Sequence, residues 1–249
     1  MTKEPAMDLN LIGENLSASY QQIAARYRSD DEIEVTSEHH RHLESILLNL
    51  SGSFGRRIQV LDVGCGSGRY FHCLKNVDRL IGVDVSEAML KTAERPVRHE
   101  HISARRIELR WENVYFSSFP SESFDLIYSL GMFGNGCPVT VELLNRLYNW
   151  LAPGGHLFFN VVDVATLSPS RRARRRIRNV LYPFLPRGVR RTFDRRTAVP
   201  FCGLGKRELD RIMRASQFTH FSISSLACQS PLWQGRHLEC AAAKPVLQR

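Results

Sequence analysis

A glycine-rich turn and a later aspartate carry the clearest chemical signal in this chain. Residues 60–70 read Val-Leu-Asp-Val-Gly-Cys-Gly-Ser-Gly-Arg-Tyr, an apolar run that enters a turn with three glycines. Glycine allows the backbone to approach a ligand closely because it has no side chain. Asp84 ends a second apolar run, 20 residues after Gly64, where a carboxylate is suited to accept hydrogen bonds from the two hydroxyls of a ribose. The two motifs together predict a nucleoside site.

Apolar runs that alternate with helical patterns predict the elements that position these motifs. The predicted strands are 59–63, 80–85, 107–111, 124–130 and 156–162, and the predicted helices begin near Arg69, at Ser86 and near Val139. This order is typical of a parallel sheet with helices on both faces. Such a sheet binds ligands beyond the carboxyl ends of its strands, and both motifs fall at such ends.

The rest of the chain extends and covers this sheet. A helix over 206–215 and two alternating strands over 218–226 and 237–243 predict that the sheet closes with an antiparallel edge. Ahead of the sheet, residues 14–28 and 37–50 are typical of amphipathic helices. We therefore expect an α/β fold with a Rossmann-like, doubly wound, seven-stranded sheet, mostly parallel, whose last strand is antiparallel.

The composition is that of an ordinary globular protein. The chain has 249 residues, of which 43% are hydrophobic and 24% charged. Apolar runs are shorter than the ~18 residues of a membrane-spanning helix, and the first residues lack the apolar core of a signal peptide, so we expect a cytoplasmic protein. The six cysteines form no Cys-x-x-Cys pair, so neither a metal site nor a disulfide framework is predicted.

Two features distinguish the turn from the dinucleotide-binding fingerprint. That fingerprint is Gly-x-Gly-x-x-Gly, whereas this chain has Gly-x-Gly-x-Gly. Asp62 lies two residues before the first glycine, where a carboxylate suits an ammonium group better than a pyrophosphate. With this acidic-x-Gly-x-Gly-x-Gly pattern the sequence resembles the class I S-adenosylmethionine-dependent methyltransferases, strongly over about 57–163 and loosely over 206–244. The segments 124–129 and 151–155 also match, as the fourth strand and the turn into the fifth.

The resemblance implies S-adenosyl-L-methionine as the cofactor and assigns roles to individual residues. The turn from Gly64 to Gly68 would cradle the methionine end, and Asp62 would face its amino group. Asp84 would accept hydrogen bonds from both ribose hydroxyls. The expected cofactor-binding residues are Asp62, Gly64, Cys65, Gly66, Gly68, Asp84, Val85, Met89, Asn113, Val114 and Ser129.

The adenine contacts implied by the resemblance include one departure from the family pattern. Val85 and Met89 would pack on the adenine ring. Asn113 lies 11 residues before Phe124, where the family commonly has an aspartate that accepts the adenine amino group. An amide oxygen also accepts a hydrogen bond, so the contact is still expected.

The activity implied by the resemblance is methyl transfer to an oxygen, nitrogen or carbon of a small-molecule acceptor by in-line displacement. Such a reaction needs positioning more than a catalytic triad, and no catalytic residue is assigned. Residues Leu130–Cys137, Asn160–Asp163, Tyr20 and Tyr27 are the candidates for the acceptor site. A non-enzymatic alternative is a module that binds the cofactor without turnover.

Three histidines at positions 39, 40 and 42 form another candidate group. They could supply a base or a metal ligand. Since they occupy adjacent faces at a helix start, we expect a solvated helix terminus instead.

The positive charge of the chain is concentrated in one segment. Arg171 to Arg196 contains eleven arginines and one aspartate, a charge of +10, within a chain of net charge +9. We expect residues 1–55 to form an N-terminal helical cap and residues 56–249 the methyltransferase domain, with this basic helical insertion at about 165–203. The insertion is expected to form a wall of the acceptor pocket. Alternatively it contacts a membrane surface that delivers a lipid-soluble acceptor, or it contacts RNA as a weak polyanion site, without a stable nucleic-acid partner.

Overall fold

The computed structural model describes residues 9–134, 136–170 and 201–246. Within these ranges the complete helices and strands are α1 (Leu9–Glu34), α2 (Glu38–Gly52), β1 (Ile58–Val63), β2 (Val77–Asp84), α3 (Glu87–Ala93), β3 (Arg106–Trp111), β4 (Phe124–Phe133), α4 (Val141–Trp150), β5 (Leu151–Val162), α5 (Lys206–Ala215), β6 (His220–Gln229) and β7 (Gln234–Ala243). None of the helices in these ranges is both long enough and apolar enough to cross a membrane.

The seven strands form one sheet in the order β3-β2-β1-β4-β5-β7-β6. Strands β1 to β5 pair in parallel, and β7 is antiparallel to both of its neighbours. The predicted fold class is therefore confirmed. The last strand inserts between β5 and β6, so the outer edge on that side is β6.

The central strands are buried on both faces, as expected for a parallel sheet between helical layers. Leu61 and Val63 of β1 share a core with residues of α1, α4 and α5. Ile58 and Val60, which point to the other face, share a second core with residues of α2 and α3. This three-layer packing fixes the carboxyl ends of β1, β2 and β4, where the strand order reverses and a ligand is expected.

The helix predicted from about Arg69 is wrong. Phe71–Cys73 form a single 3₁₀ turn, and β2 begins at Val77. The side chains of three consecutive residues, Phe71, His72 and Cys73, are all buried. An amphipathic helix would have turned one of them toward solvent, so the inward packing of all three favours the shorter turn.

Other helix boundaries follow local capping signals. The hydroxyl groups of Ser86 and Thr140 accept hydrogen bonds from the third residues of α3 and α4, as N-cap residues do. Helix α1 is longer than the predicted 14–28, since it begins at Leu9 and ends at Glu34.

The division into residues 1–55 and 56–249 stays a prediction. Arg171 to Arg196, and with them most of the insertion predicted at about 165–203, lie outside the described residues.

Candidate functional site

A cavity of about 400 Å³ lies at the carboxyl ends of β1, β2 and β4, beneath α1. Nine of the eleven residues expected to bind the cofactor line it: Asp62, Gly64, Cys65, Gly66, Asp84, Val85, Met89, Asn113 and Val114. Gly68 and Ser129 do not line the cavity. The Ser129 hydroxyl donates to the carbonyl of Val63, 2.8 Å away, so it joins β4 to β1 behind the site.

The glycine turn is closed by hydrogen bonds to β2. The N–H groups of Gly64 and Cys65 both donate to the carbonyl of Val83, at 2.8 and 3.0 Å. Gly64 has a φ of +73°, and a Cβ at this position would stand 2.6 Å from the Met132 sulfur. Gly68 has its own packing role, since a Cβ there would stand 2.8 Å from the Phe71 ring. The glycines therefore make room for the turn and for the space beside it.

Asp84 ties the glycine turn to the end of β2. Its carboxylate accepts from the N–H of Gly66 at 2.8 Å and from the N–H of Ser86 at 2.9 Å. Burial raises the pKa of Asp84, while these backbone hydrogen bonds oppose that rise. A carboxylate has about four lone-pair sites, so the backbone donors do not use up its capacity to accept from a ribose hydroxyl.

Asp62 is buried deeper, at the end of β1. Its exposure is 3%, and burial raises its pKa to about 8, although the nearby Tyr128 hydroxyl opposes the rise. Near neutral pH the carboxyl therefore retains its proton when no cation is beside it. An ammonium group would stabilise the carboxylate and release that proton.

This coupling predicts a pH dependence of ligand binding. We expect the affinity for S-adenosylhomocysteine to rise between about pH 6 and pH 8, by up to about tenfold per unit, because below its pKa Asp62 must lose a proton before it faces the ligand ammonium. Isothermal titration in buffers of different ionisation enthalpy measures the proton release. The Asp62→Asn variant should lose this component of the slope. Methylthioadenosine lacks the amino-acid portion, so its affinity should depend on pH equally in the wild-type protein and in Asp62→Asn. An equal pH dependence of S-adenosylhomocysteine affinity in the two proteins would contradict the role assigned to Asp62.

Asn113 holds the start of α1 over the cavity. Its side-chain nitrogen donates to the carbonyl of Leu9 at 3.2 Å, and its oxygen accepts from the N–H of Tyr115 at 3.1 Å. Gly13 allows this close approach, since a Cβ there would stand 2.7 Å from the Asn113 nitrogen. The amide oxygen retains a second lone pair, so the expected contact with adenine stays a prediction.

The cavity continues beyond the residues expected to bind the cofactor into a second half, which we call the acceptor half because an acceptor would bind there beside the cofactor. It lies between α1, the start of α2 and the connection from β6 to β7. Its lining includes Tyr27, Asp30, Glu34, His39, Arg69, Tyr70, Cys228, Ser230, Leu232, Trp233 and His237. Trp233 stacks on His237, with ring centroids 4.3 Å apart.

Two buried acidic groups join the elements around the acceptor half. Glu34 accepts from the Ser37 hydroxyl at 3.2 Å and from the Ser230 hydroxyl, which lies 196 residues later. Asp31 accepts from the Ser67 hydroxyl and from the Arg69 guanidinium, which it pairs with in the interior. Helix α1 is thereby fixed to both the glycine turn and the β6–β7 connection.

Seven of the fourteen predicted acceptor candidates line the cavity: Tyr20, Tyr27, Leu130, Gly131, Met132, Cys137 and Asn160. Asn160 accepts from the N–H of Gly131 at 2.8 Å, and Asp163 instead caps the turn that follows β5. Burial raises the pKa of the Cys137 thiol to about 12, which makes it a poor nucleophile. Asn135 lies outside the described residues.

The expectation of a solvated histidine group is wrong for two of its members. His39 and His40 are buried, because the first turn of α2 packs between the 3₁₀ turn and β7. His42 is half-exposed and contacts the Glu239 carboxylate at 3.0 Å. The spacing of the three residues in the sequence gave no sign of these partners.

Several residues of the acceptor half gave no signal in the sequence. Glu34, Ser230, Trp233 and His237 belong to no motif, and the segments that bring them together lie about 200 residues apart in the chain. Arg69 and Tyr70 directly follow the glycine turn, and this position in the sequence could have indicated that they line the cavity.

The comparisons with known proteins agree with this geometry. Residues 60–155 match the family model described as a methyltransferase domain. Residues 60–155 therefore form a methyltransferase domain. The match covers the strands and turns that carry the cofactor residues, and S-adenosylmethionine is the cofactor of this methyltransferase domain.

Curated relatives share part of the methyltransferase sequence. The chain is 32% identical over 102 residues to demethylmenaquinone methyltransferase from Lactiplantibacillus plantarum, which covers 39% of this chain and 42% of that protein. It is 27% identical over 165 residues to malonyl-[acyl-carrier protein] O-methyltransferase from Enterobacter lignolyticus, which covers 65% and 59%. The chain thus spans about half the length of these relatives.

Solved structures share the methyltransferase fold. The N-methyltransferase NodS from Bradyrhizobium japonicum, in complex with S-adenosylhomocysteine, superposes with a TM-score of 0.58 at 20% identity. The match covers 93% of this chain and 99% of NodS.

Proposed function

We propose that this protein transfers a methyl group from S-adenosylmethionine to a small-molecule acceptor, at an oxygen, nitrogen or carbon atom, by in-line displacement. The observation that carries the proposal is the single cavity in which the cofactor residues and the acceptor half are continuous. The cofactor supplies an electrophilic methyl group on a sulfonium. The side chains around the cavity orient the acceptor and exclude water, and such positioning can contribute ~7–11 kcal/mol to lowering the barrier.

The size and cover of the cavity favour a small acceptor. A volume of about 400 Å³ falls within the range of small-molecule sites, and α1 lies over it. Asp30 and Glu34 line the acceptor half, and their carboxylates would repel the phosphates of a nucleic acid. A neutral or cationic acceptor fits these charges better than a polyanion.

Labelling of cell extracts tests the proposal directly. We expect methyl-labelled S-adenosylmethionine, incubated with the protein and fractionated extract, to place the label on a low-molecular-mass compound that mass spectrometry identifies. Label found only in RNA, or only in the lipid fraction, would show that the acceptor is RNA or a lipid and would contradict a small-molecule acceptor. Tight cofactor binding without label in any fraction would support a non-enzymatic module.

Trp233 is expected to contribute to acceptor binding without affecting the cofactor. Its ring lines the acceptor half and stacks on His237. We expect Trp233→Ala to raise the KM of the identified acceptor by roughly tenfold, through lost apolar contact, and to leave the Kd of S-adenosylmethionine unchanged. Phe116→Ala, which removes an exposed aromatic ring that does not line the cavity, is the control. A change confined to the cofactor Kd would argue against this division of the cavity.

A further inference from the structure

Three side chains outside the cavity place metal-ligand atoms around one point. His40 Nε2 lies 3.4 Å from His72 Nε2, and Cys73 Sγ lies 3.7 Å from the first nitrogen and 3.5 Å from the second. All three residues are buried. His40 comes from the first turn of α2, and His72 and Cys73 come from the 3₁₀ turn after the glycine motif.

These separations match the edges of a tetrahedral zinc site. Zinc binds histidine nitrogen at about 2.0–2.1 Å and cysteine sulfur at about 2.3 Å, so two nitrogens on one ion are about 3.3–3.4 Å apart and nitrogen and sulfur about 3.5–3.6 Å. The observed distances agree with both values.

The same groups are poorly satisfied by the protein alone. The Nδ1 atoms of His40 and His72 are buried and have no hydrogen-bond partner among the described residues. A cation at the shared point would bind Nε2 of each ring and Cys73 Sγ, not these Nδ1 atoms.

We propose that His40, His72 and Cys73 bind a zinc ion, with a water molecule at the fourth position. The ligand atoms of these three residues all lie within 4.8 Å of one another. Two imidazoles and one thiolate form a set that zinc accepts. As the zinc–sulfur bond forms, the Cys73 thiol loses its proton to solvent.

A second group of similar composition lies in the acceptor half. The ligand atoms of His39, Cys228 and His237 lie within 4.8 Å of one another. The two imidazole centroids are 5.4 Å apart, and this group lines the cavity where an acceptor is proposed to bind. We assign the metal to the His40 group because its separations match zinc, and the other group provides a matched control.

The proposed zinc would support the cofactor turn. It would join α2 to the 3₁₀ turn that stands where the sequence predicts a helix. The ring of Tyr70 stacks on His40, with centroids 5.2 Å apart, and Tyr70 also lines the cavity. The zinc would therefore stabilise the segment that follows Gly68.

Cobalt titration of the full-length protein tests the proposal. After treatment with a chelator and a reductant, the wild-type protein is titrated with cobalt(II) chloride and then zinc(II) chloride. We expect one cobalt per chain, the visible absorption of tetrahedral cobalt, and a near-ultraviolet thiolate-to-cobalt band that zinc removes. Cys73→Ser should abolish that band, and Cys228→Ser should leave it intact.

The possible outcomes separate the two groups. Wild-type protein that binds no cobalt, or a band that is lost in Cys228→Ser, would overturn the proposal. If Cys73→Ser does not fold, as judged by circular dichroism, His40→Gln replaces it, and a band of unchanged strength in His40→Gln also overturns the proposal.

Discussion

Replacement of Gly64 by alanine is expected to lower the free energy of unfolding by about 2–5 kcal/mol. The backbone at Gly64 has a φ of +73°, which costs an L-residue about 1–2 kcal/mol. The added Cβ would stand 2.6–2.8 Å from the Met132 sulfur and from its Cβ and Cγ. Because the clash includes the base of the Met132 side chain, a rotation at its end cannot relieve it. Urea denaturation measures the loss.

Gly131→Ala is the matched control for this prediction. Gly131 has a similar φ of +80°, but nothing lies within 4 Å of the position of its added Cβ. We therefore expect only the backbone cost of about 1–2 kcal/mol. Equal losses in the two variants would show that Gly64 is not needed for the close approach of the turn to β4.

Replacement of Asp84 by alanine is expected to weaken binding of S-adenosylmethionine by about 1.5–3 kcal/mol, which is roughly a 10- to 150-fold rise in Kd. The variant loses the acceptor proposed for the ribose hydroxyls. It also loses the hydrogen bonds from Gly66 and Ser86 that fix the turn against β2. Isothermal titration measures the change in Kd.

Asp78→Ala is the control within the same strand. Asp78 lies near the start of β2, away from the cavity, where it contacts Gln59 and Arg105. Its removal should leave the Kd unchanged. An unaltered affinity in Asp84→Ala would remove this carboxylate from the cofactor site.

The parts of the site that follow from local sequence were predictable. Asp62, Gly64 and Gly66 lie at the end of β1 and in the turn that follows it, and Asp84 ends the neighbouring strand β2. Their spacing in the sequence was therefore enough to predict that they lie close together. The same holds for the succession of the strands along the chain, because each apolar run has its own pattern. The backbone around the expected cofactor residues therefore follows from patterns within short stretches of sequence.

The acceptor half could not be predicted from spacing, because it depends on distant partners. Glu34 meets Ser230 across 196 residues, and His42 meets Glu239 across 197. These contacts arise only after β7 inserts between β5 and β6 and α1 closes over the sheet. The hydrophobic periodicity of a sequence does not predict contacts between such distant residues.

The histidine and cysteine groups show a similar limit. The prediction that no metal binds rested on the absence of closely spaced cysteine pairs, whereas the proposed zinc ligands combine one helical residue with two from a turn 32 residues later. The inward packing of Phe71–Cys73 creates this arrangement, and the helical pattern expected there concealed it.

Isothermal titration of the wild-type protein with S-adenosylhomocysteine, NAD⁺ and FAD tests the central claim most directly. We expect one S-adenosylhomocysteine to bind per chain, in competition with S-adenosylmethionine, and neither NAD⁺ nor FAD to bind. Binding of a dinucleotide in place of S-adenosylhomocysteine would contradict the assignment of the glycine turn and Asp84 to the sulfonium cofactor.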